Sequence, residues 1–202
     1  MSKKIIIAVD IDDVLADSTE ALRVEVNKRL GVNLTPEHYQ IPGEYQDYYA
    51  KVWSTHGLAE RISMKELEPQ MEAEQSHLKL RPGAKEALQI LATKYKILII
   101  TSRQESWRSA TERWLHSNLG DVFSEVIFTT GKETTKHMSK GEICARYGVS
   151  WLIDDNVEHA QSALNEGIGV ILYGEYGWHY KPPAGVIRCK DWAAVVEYLD
   201  GK

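Results

Sequence analysis

A short, unbroken run of aliphatic residues that stops at carboxylates constrains the fold of this chain more than any other feature. The run covers residues 5–9 and is followed directly by Asp10 and then by Asp12. Such runs are typical of a strand buried on both faces in a parallel sheet. Burying bare charge is costly, and Mg²⁺ is a suitable partner because it binds carboxylates together with water and phosphate oxygens. A turn with an Asx hydrogen bond and a helix cap is the alternative that this stretch leaves open.

Four more strands are predicted along the chain, and two of them also end in polar residues. They lie within residues 96–103, 125–128, 150–156 and 169–173. Helical patterns separate them, which predicts right-handed crossovers and a doubly wound, parallel α/β sheet. Thr101 and Ser102 end one strand, and Asp154 and Asp155 end another. Since ligands bind beyond the carboxyl ends of such strands, we expect these side chains to meet the acids of the first strand at one edge of the sheet.

The stretch between the first strand and the next one has helical spacing and no strand signal. This helical stretch covers residues 18–80 and leaves residues 1–17 and 81–202 for the α/β core. A chain of 202 residues is long enough for one such domain with a small insertion.

Aromatic residues recur at helical spacing from Glu44 onward, and they include Tyr45, Tyr49 and Trp53. This spacing favours the packed face of a helix, with contact to a substrate base as the alternative for one of these three. Four other tryptophans are predicted to lie in the core. They are Trp107, Trp114, Trp151 and Trp192.

Composition excludes several classes of protein. The net charge of −5 gives no general attraction to nucleic acid or to an anionic membrane. The two cysteines, Cys144 and Cys189, are too few for a disulfide scaffold and are expected to be buried thiols. No long apolar span and no signal-peptide pattern is present, so we expect a cytoplasmic protein without a membrane partner.

Four motifs, in order, resemble those of the haloacid dehalogenase superfamily of phosphohydrolases. Residues 10–15, Asp-Ile-Asp-Asp-Val-Leu, match the first motif, and Thr101, Lys140 and the acid pair 154–155 match the other three. The opening Asp-Ile-Asp-Asp-Val-Leu-Ala-Asp, Pro82-Gly83 and the Leu-Ile-Asp-Asp run are similar to the branch that contains the 5′(3′)-deoxyribonucleotidases. The resemblance implies a Rossmann-like core and makes the helical stretch a cap domain inserted after the first strand.

The resemblance also implies a role for each acid at the sheet edge. Asp10 is the expected nucleophile, which forms an aspartyl-phosphate, and Asp12 is the expected general acid and base. Mg²⁺ would be held by Asp10, Asp154 and Asp12, the last through its backbone carbonyl, because the carboxyl of a general acid must be free to hold a proton. Asp155 is expected outside this ligand set, where it orients water or Lys140.

Phosphate binding is expected from Thr101, Ser102 and Lys140. For Thr101 and Ser102 the alternative interpretation is that their hydroxyls cap the helix that follows the strand. Lys140 would neutralise the nucleophile and the transferring phosphoryl group, and its alternative is a solvated lysine in the first turn of a helix, where a cation is slightly unfavourable. Lys132 and Lys136 compete with it for this role.

Two more polar residues follow strands. Arg103 comes directly after Ser102 and is expected either to steer a phosphate or to lie on the surface. His179 lies in the loop after the last predicted strand, and no spaced His or Cys accompanies it. We therefore expect no metal-binding role for this histidine.

These inferences favour a Mg²⁺-dependent phosphomonoesterase that acts on a small phosphorylated metabolite, with a nucleoside monophosphate as the preferred substrate. The alternatives use the same chemistry on a sugar phosphate, another small metabolite or a nucleic-acid end, and the acidic net charge disfavours the last. A third hypothesis is a catalytically silent binding module, which the presence of both Asp10 and Asp12 disfavours. The resemblance also suggests a homodimer, by analogy alone.

Overall fold

A single parallel sheet organises the described part of the chain. The computed structural model describes residues 4–130 and 138–202. Within them, six strands pair in the order β3-β2-β1-β4-β5-β6, and all the pairs are parallel. The strands are β1 (Ile6–Val9), β2 (Lys96–Thr101), β3 (Glu125–Phe128), β4 (Val149–Asp154), β5 (Gly169–Tyr173) and β6 (Ile187–Cys189). The predicted doubly wound, Rossmann-like α/β fold is confirmed.

Strand β1 lies at the point where the strand order reverses, between β2 and β4. Val9 is opposite Ile99 of β2 and Ile153 of β4, so the carboxyl ends of the three strands lie side by side. The backbone N–H of Asp10 donates to the Ile153 carbonyl at 3.0 Å, which extends this pairing by one residue. In doubly wound sheets this reversal opens the crevice in which ligands bind.

Eight α-helices accompany the sheet in the described residues. They are α1 (Ser18–Leu30), α2 (Tyr48–Thr55), α3 (Met64–Ala73), α4 (Ala84–Lys94), α5 (Arg108–Leu119), α6 (Lys140–Arg146), α7 (Val157–Asn165) and α8 (Trp192–Asp200). Because successive side chains of a strand point to opposite faces, Ile7 and Val9 pack with α4, α5 and α8, whereas Ile6 and Ala8 pack with α6 and α7. None of these helices is both long and apolar enough to span a bilayer.

The helical stretch, residues 18–80, contains α1–α3 and two short 3₁₀ turns, and all of its residues are described without a strand. It has a hydrophobic cluster of its own, which also includes Trp178 from the loop after β5. Its two ends run side by side, since Ala16 pairs with Leu80 in an antiparallel bridge. These observations agree with a separate unit, and the division at residues 17 and 81 remains a prediction.

Three expectations about secondary structure were wrong in detail. The helix expected from Glu44 begins at Tyr48, because Asp47 before it has a left-handed backbone with a φ of 57°. Thr35 followed by Pro36 predicts the start of a longer helix, but residues 36–39 form only a 3₁₀ turn. Strand β6 was missed, because three residues with an exposed Arg188 at the centre carry no readable periodicity.

Helices α6 and α7 approach so closely that only glycine fits at position 141. A Cβ there would lie 2.2 Å from the carbonyl oxygen of Ser162, a backbone atom of α7. We expect Gly141→Ala to lower the free energy of unfolding by about 1–3 kcal/mol, measured by chemical denaturation, because the helices must separate. Gly201→Ala is the control, since its Cβ would meet nothing nearer than 3.7 Å. Equal denaturation midpoints for Gly141→Ala and Gly201→Ala would contradict this close packing of the two helices.

Candidate active site

Three buried acids meet beyond the carboxyl ends of the central strands. Asp10 follows β1, Asp154 ends β4 and Asp155 comes next, and one carboxylate oxygen of each lies within 4.8 Å of the others. Their exposed fractions are 7%, 0% and 3%. The register of β1 against β4 produces this arrangement, because it brings the ends of the two strands level. The predicted convergence of distant acids is therefore observed for these three residues.

Lys140 lies between two of these acids. Its Nζ donates to Asp10 Oδ1 and to Asp154 Oδ2, each at 2.7 Å, and its side chain is 1% exposed. Helix α6 places it there, because Ser139 and Glu142 form a capping box at the start of that helix, a spacing that is readable in the sequence. The alternative of a solvated lysine is therefore wrong. Lys132 and Lys136 lie outside the described residues.

The acids differ in pKa according to their neighbours. Burial raises the pKa of Asp10 to about 6 against the opposing charge of Lys140, and the charges of Asp154 and Asp12 contribute to the rise. Burial and the charges of Asp154 and Asp10 raise the pKa of Asp155 well above its usual value. Burial acts to raise the pKa of Asp154, but the charges and hydrogen bonds of Lys140 and His159 outweigh this effect, so the pKa is lowered.

The donor set fits a hard divalent cation. Three buried carboxylates lie together, and Lys140 pairs with two of them, which leaves negative charge that a cation would neutralise. All three supply oxygen, the ligand type that Mg²⁺ prefers. Asp155 was expected outside the ligand set, yet one of its carboxylate oxygens lies within 4.8 Å of a carboxylate oxygen of Asp10 and of one of Asp154.

The Asp12 carboxylate has other partners. Arg103 holds it in a two-pronged ion pair, with Nε 2.9 Å from Oδ2 and Nη2 2.7 Å from Oδ1, and Ser18 donates to Oδ1 at 2.5 Å. Although burial opposes it, the charge of Arg103 and its hydrogen bonds lower the pKa of Asp12. Arg103 is itself buried, so its alternative as a surface residue is wrong. Arg103 has a further partner in the helical stretch, because Gln75 Oε1 accepts a hydrogen bond from Arg103 Nη1 at 2.9 Å.

The two hydroxyl residues after β2 are placed differently. Thr101 is buried, and its Oγ1 accepts from the backbone N–H of Arg103 at 3.2 Å, which is a local turn contact. Ser102 is exposed beside the acids, with its Oγ 3.5 Å from His159 Nε2. Ser102 is therefore open to a ligand, whereas Thr101 is fully buried and the contact with Arg103 leaves its O–H free to donate.

A cavity of about 330 Å³ opens above the acids. Its walls come from both parts of the chain: Asp10, Asp12, Ser102, Arg103, Gln104, Trp107, Asp155, Asn156 and His159 on one side, and Tyr45, Met64, Glu68 and Met71 on the other. Of the three aromatic residues considered as substrate contacts, Tyr45 lines this cavity. Tyr49 and Trp53 line a second cavity of about 460 Å³, which Tyr45 also borders.

The tryptophans predicted to be core divide into two pairs. Trp114 and Trp192 are buried, as expected. Trp107 is half-buried and lines the cavity over the acids, because it ends a 3₁₀ turn before α5 rather than lying on the buried face of that helix. Trp151 is half-buried at a position of β4 that packs against Tyr198.

Sequence reasoning assigned no role to several residues that contact the acids. His159 Nδ1 is 3.1 Å from Asp154 Oδ1, and Trp178 Nε1 donates to Asp155 Oδ2 at 2.9 Å. His159 could have been found, because it lies in the first turn of the helix that follows the fourth motif, where its side chain can turn back to the strand end. Trp178 carries no local signal, and neither does Gln75, which contacts Arg103 rather than an acid.

Comparison with known proteins gives one family and many solved structures. The sequence matches the family described as "5' nucleotidase, deoxy (Pyrimidine), cytosolic type C protein" over residues 3–199. No curated protein matches it.

Three of the similar structures illustrate the fold. A haloacid dehalogenase-like protein of Agrobacterium tumefaciens has a TM-score of 0.67 at 16% identity and covers 98% of this chain and 99% of its own. A haloacid dehalogenase-like hydrolase of Streptococcus pneumoniae gives 0.63 at 15%, with coverages of 98% and 100%. The HAD-hydrolase YfnB of Bacillus subtilis, bound to magnesium, gives 0.64 at 12%, with coverages of 98% and 100%.

Proposed function

Because the chain belongs to the 5′ nucleotidase, deoxy (pyrimidine), cytosolic type C family, we propose that it is a Mg²⁺-dependent phosphomonoesterase that releases phosphate from nucleoside monophosphates. The family and the fold make the chain an enzyme, a phosphatase of the haloacid dehalogenase type, and the predicted resemblance is confirmed at that level. The observation that carries the proposal is the meeting of Asp10, Asp154 and Asp155 within 4.8 Å beneath a cavity.

Asp10 is the proposed nucleophile. Its carboxylate oxygen attacks phosphorus, the bond from phosphorus to the ester oxygen breaks, and the phosphoryl group is left on Asp10 as an aspartyl-phosphate. Lys140, 2.7 Å from Asp10 Oδ1, neutralises charge on the carboxylate and on the phosphoryl group. Water then attacks the same phosphorus, the bond to Asp10 breaks, and inorganic phosphate leaves.

Asp12 is the proposed general acid and base. In the second step it takes a proton from the attacking water, a role that its ionised, Arg103-paired state already suits. In the first step it must give a proton to the leaving alkoxide. A phosphate dianion entering the cavity would compete for Arg103, and release of the Asp12 carboxylate would raise its pKa.

The proposed cation site uses the acids at the ends of β1 and β4. Asp10 and Asp154 supply side-chain oxygens, Asp12 its backbone carbonyl, and Asp155 either a further oxygen or an orienting contact. Mg²⁺ bound there supplies charge neutralisation for the phosphoryl oxygens. Ser102 and Thr101 are the proposed hydroxyl contacts to the phosphate, with Ser102 the more accessible of the two.

The substrate class is proposed from the family and from the cavity wall. Residues 18–80, proposed as the cap domain, contribute Tyr45, Met64 and Met71 opposite the acids, which suits an apolar or aromatic leaving group. A sugar phosphate, another small metabolite or a nucleic-acid end remains the alternative. A homodimer in the cytoplasm remains part of the proposal, and light scattering tests the dimer.

A panel of phosphomonoesters assayed with Mg²⁺ and with EDTA tests the proposal. We expect nucleoside monophosphates to be preferred over sugar phosphates and a 5′-phosphorylated oligonucleotide. Phosphate release should fall at least about 100-fold in EDTA, because the cation contributes several kcal/mol of charge stabilisation.

Two outcomes would contradict parts of the proposal. Unchanged turnover in EDTA, with metal removal verified, would exclude the cation role. Strong cleavage of a sugar phosphate together with a flat, weak response to nucleotides would exclude the nucleotidase assignment and leave the phosphatase chemistry in place.

A further inference from the structure

The loop after β5, residues 174–180, carries a tryptophan that touches the candidate cation site. Trp178 is 1% exposed and stacks on Tyr176, with ring centroids 4.4 Å apart and planes at 4°. It also meets the ring of Tyr48 edge-on at 5.1 Å and belongs to the hydrophobic cluster of residues 18–80. A residue of the α/β part is thus packed into the core of the helical stretch.

Two side chains of this loop hold Asp155. The Trp178 Nε1–H donates to Asp155 Oδ2 at 2.9 Å and also lies 3.2 Å from the Asp155 carbonyl oxygen. His179 Nε2 donates to the same carbonyl at 2.7 Å. Since an indole N–H can only donate, the contact orients the Asp155 carboxylate, a member of the acid cluster, through its Oδ2.

The position of the loop is itself set by the helical stretch. A Cβ at Gly177 would lie 2.0 Å from the Tyr48 hydroxyl oxygen and 2.4 Å from the Ile41 carbonyl oxygen, so the two segments are in direct backbone contact. The Gly43 N–H donates to the Gly177 carbonyl at 3.1 Å. The position of residues 41–48 is therefore coupled through direct contacts to that of the loop that holds Asp155.

We propose that Trp178 is a positioning residue for the divalent cation, which orients Asp155 and links cation binding to the seating of residues 18–80 on the loop after β5. This inference rests on the proposed function, because it requires a cation between Asp10, Asp154 and Asp155. Groups that hydrogen-bond a metal-binding carboxylate commonly change metal affinity 10–100-fold when they are removed.

Mg²⁺ binding measured by calorimetry, without substrate, tests the inference. We expect Trp178→Phe to weaken Mg²⁺ binding about 10–100-fold, because phenylalanine fills much of the space but has no N–H. Trp114→Phe is the matched control: Trp114 is 2% exposed and donates to the Leu78 carbonyl at 2.9 Å, away from the acids. A purely structural role for Trp178 would lower the melting temperature of the metal-free protein and leave the dissociation constant unchanged.

A second replacement covers the case in which Trp178→Phe does not fold. Benzothienylalanine at position 178 keeps the fused ring and replaces the N–H by sulfur, and we expect the same loss of affinity. Mg²⁺ affinity within twofold of the wild type in a folded variant would overturn the inference and leave the proposed function standing. Failure of the wild type and of Trp114→Phe to bind Mg²⁺ at all would overturn both.

Discussion

Asp10→Asn should lower the rate of phosphate release at least about 10³-fold at saturating substrate and Mg²⁺. An amide is a poor nucleophile toward phosphorus, so the proposed first chemical step would lose its attacking oxygen. The substitution also removes one of the carboxylates that lie within 4.8 Å of each other, and it places an uncharged group 2.7 Å from Lys140 Nζ. Chemistry and charge balance are thus both affected, which makes this the largest effect expected in the chain.

The measurement is the initial rate of phosphate release, together with trapping of the phosphorylated enzyme from a labelled substrate. Asp191→Asn is the matched control, since Asp191 caps α8 by accepting from the Ala194 N–H at 2.9 Å, and asparagine can do the same. The phosphorylated form should be trapped from the control and be absent from Asp10→Asn. Substantial turnover by the Asp10→Asn protein would rule out the nucleophile assignment.

Lys140→Met should destabilise the metal-free protein by about 3–5 kcal/mol, because it leaves two buried carboxylates without their cation. Lys140 donates to both Asp10 and Asp154 at 2.7 Å, and the buried acids of this site have few other positive partners among the described residues. Methionine retains most of the lysine's length and apolar stem, so loss of charge rather than loss of volume dominates the effect.

Urea denaturation with EDTA and with saturating Mg²⁺ measures this effect. Mg²⁺ should recover part of the lost stability, since a cation bound only to the folded state stabilises it by about 2.7 kcal/mol at a hundredfold excess over its dissociation constant. Lys94→Met is the control: Lys94 pairs with Asp200 on the surface, where both side chains are more than half exposed, and no measurable change is expected. Equal midpoints for Lys140→Met and Lys94→Met would contradict the buried ion-pair network.

The part of the site that lies at strand ends could be predicted from the sequence. Asp10 follows a buried strand and Asp154 ends another, and parallel strands in a doubly wound sheet must present their carboxyl ends at one edge. Lys140 could be placed in a helix start because its capping box is local in sequence. These inferences need only the path of the chain, which hydrophobic patterning determines.

The contacts between segments that are remote in sequence could not be predicted. Gln75 reaches Arg103 from the helical stretch, and Trp178 reaches Asp155 from a loop whose sequence has no period. Such pairings depend on how the helical stretch sits over the sheet, and spacing along the chain holds no information about that. Trp107 illustrates the same limit, because its place in a 3₁₀ turn before α5 makes an expected core residue part of the cavity wall.

The helical stretch is connected to the rest of the chain by two short segments that pair with each other in antiparallel fashion. Ala16 bridges Leu80, the Asp17 N–H donates to the Lys79 carbonyl at 2.9 Å, and the Arg81 N–H donates to the Leu15 carbonyl at 2.8 Å. Paired antiparallel residues stand about 5 Å apart. The chain therefore leaves the α/β part and returns to it at almost the same point, with the helical stretch in between. A homologue can therefore lengthen, shorten or exchange much of this one contiguous stretch without rerouting β1 or α4, provided that contacts such as those of Ser18 with Asp12 and of Gln75 with Arg103 are kept.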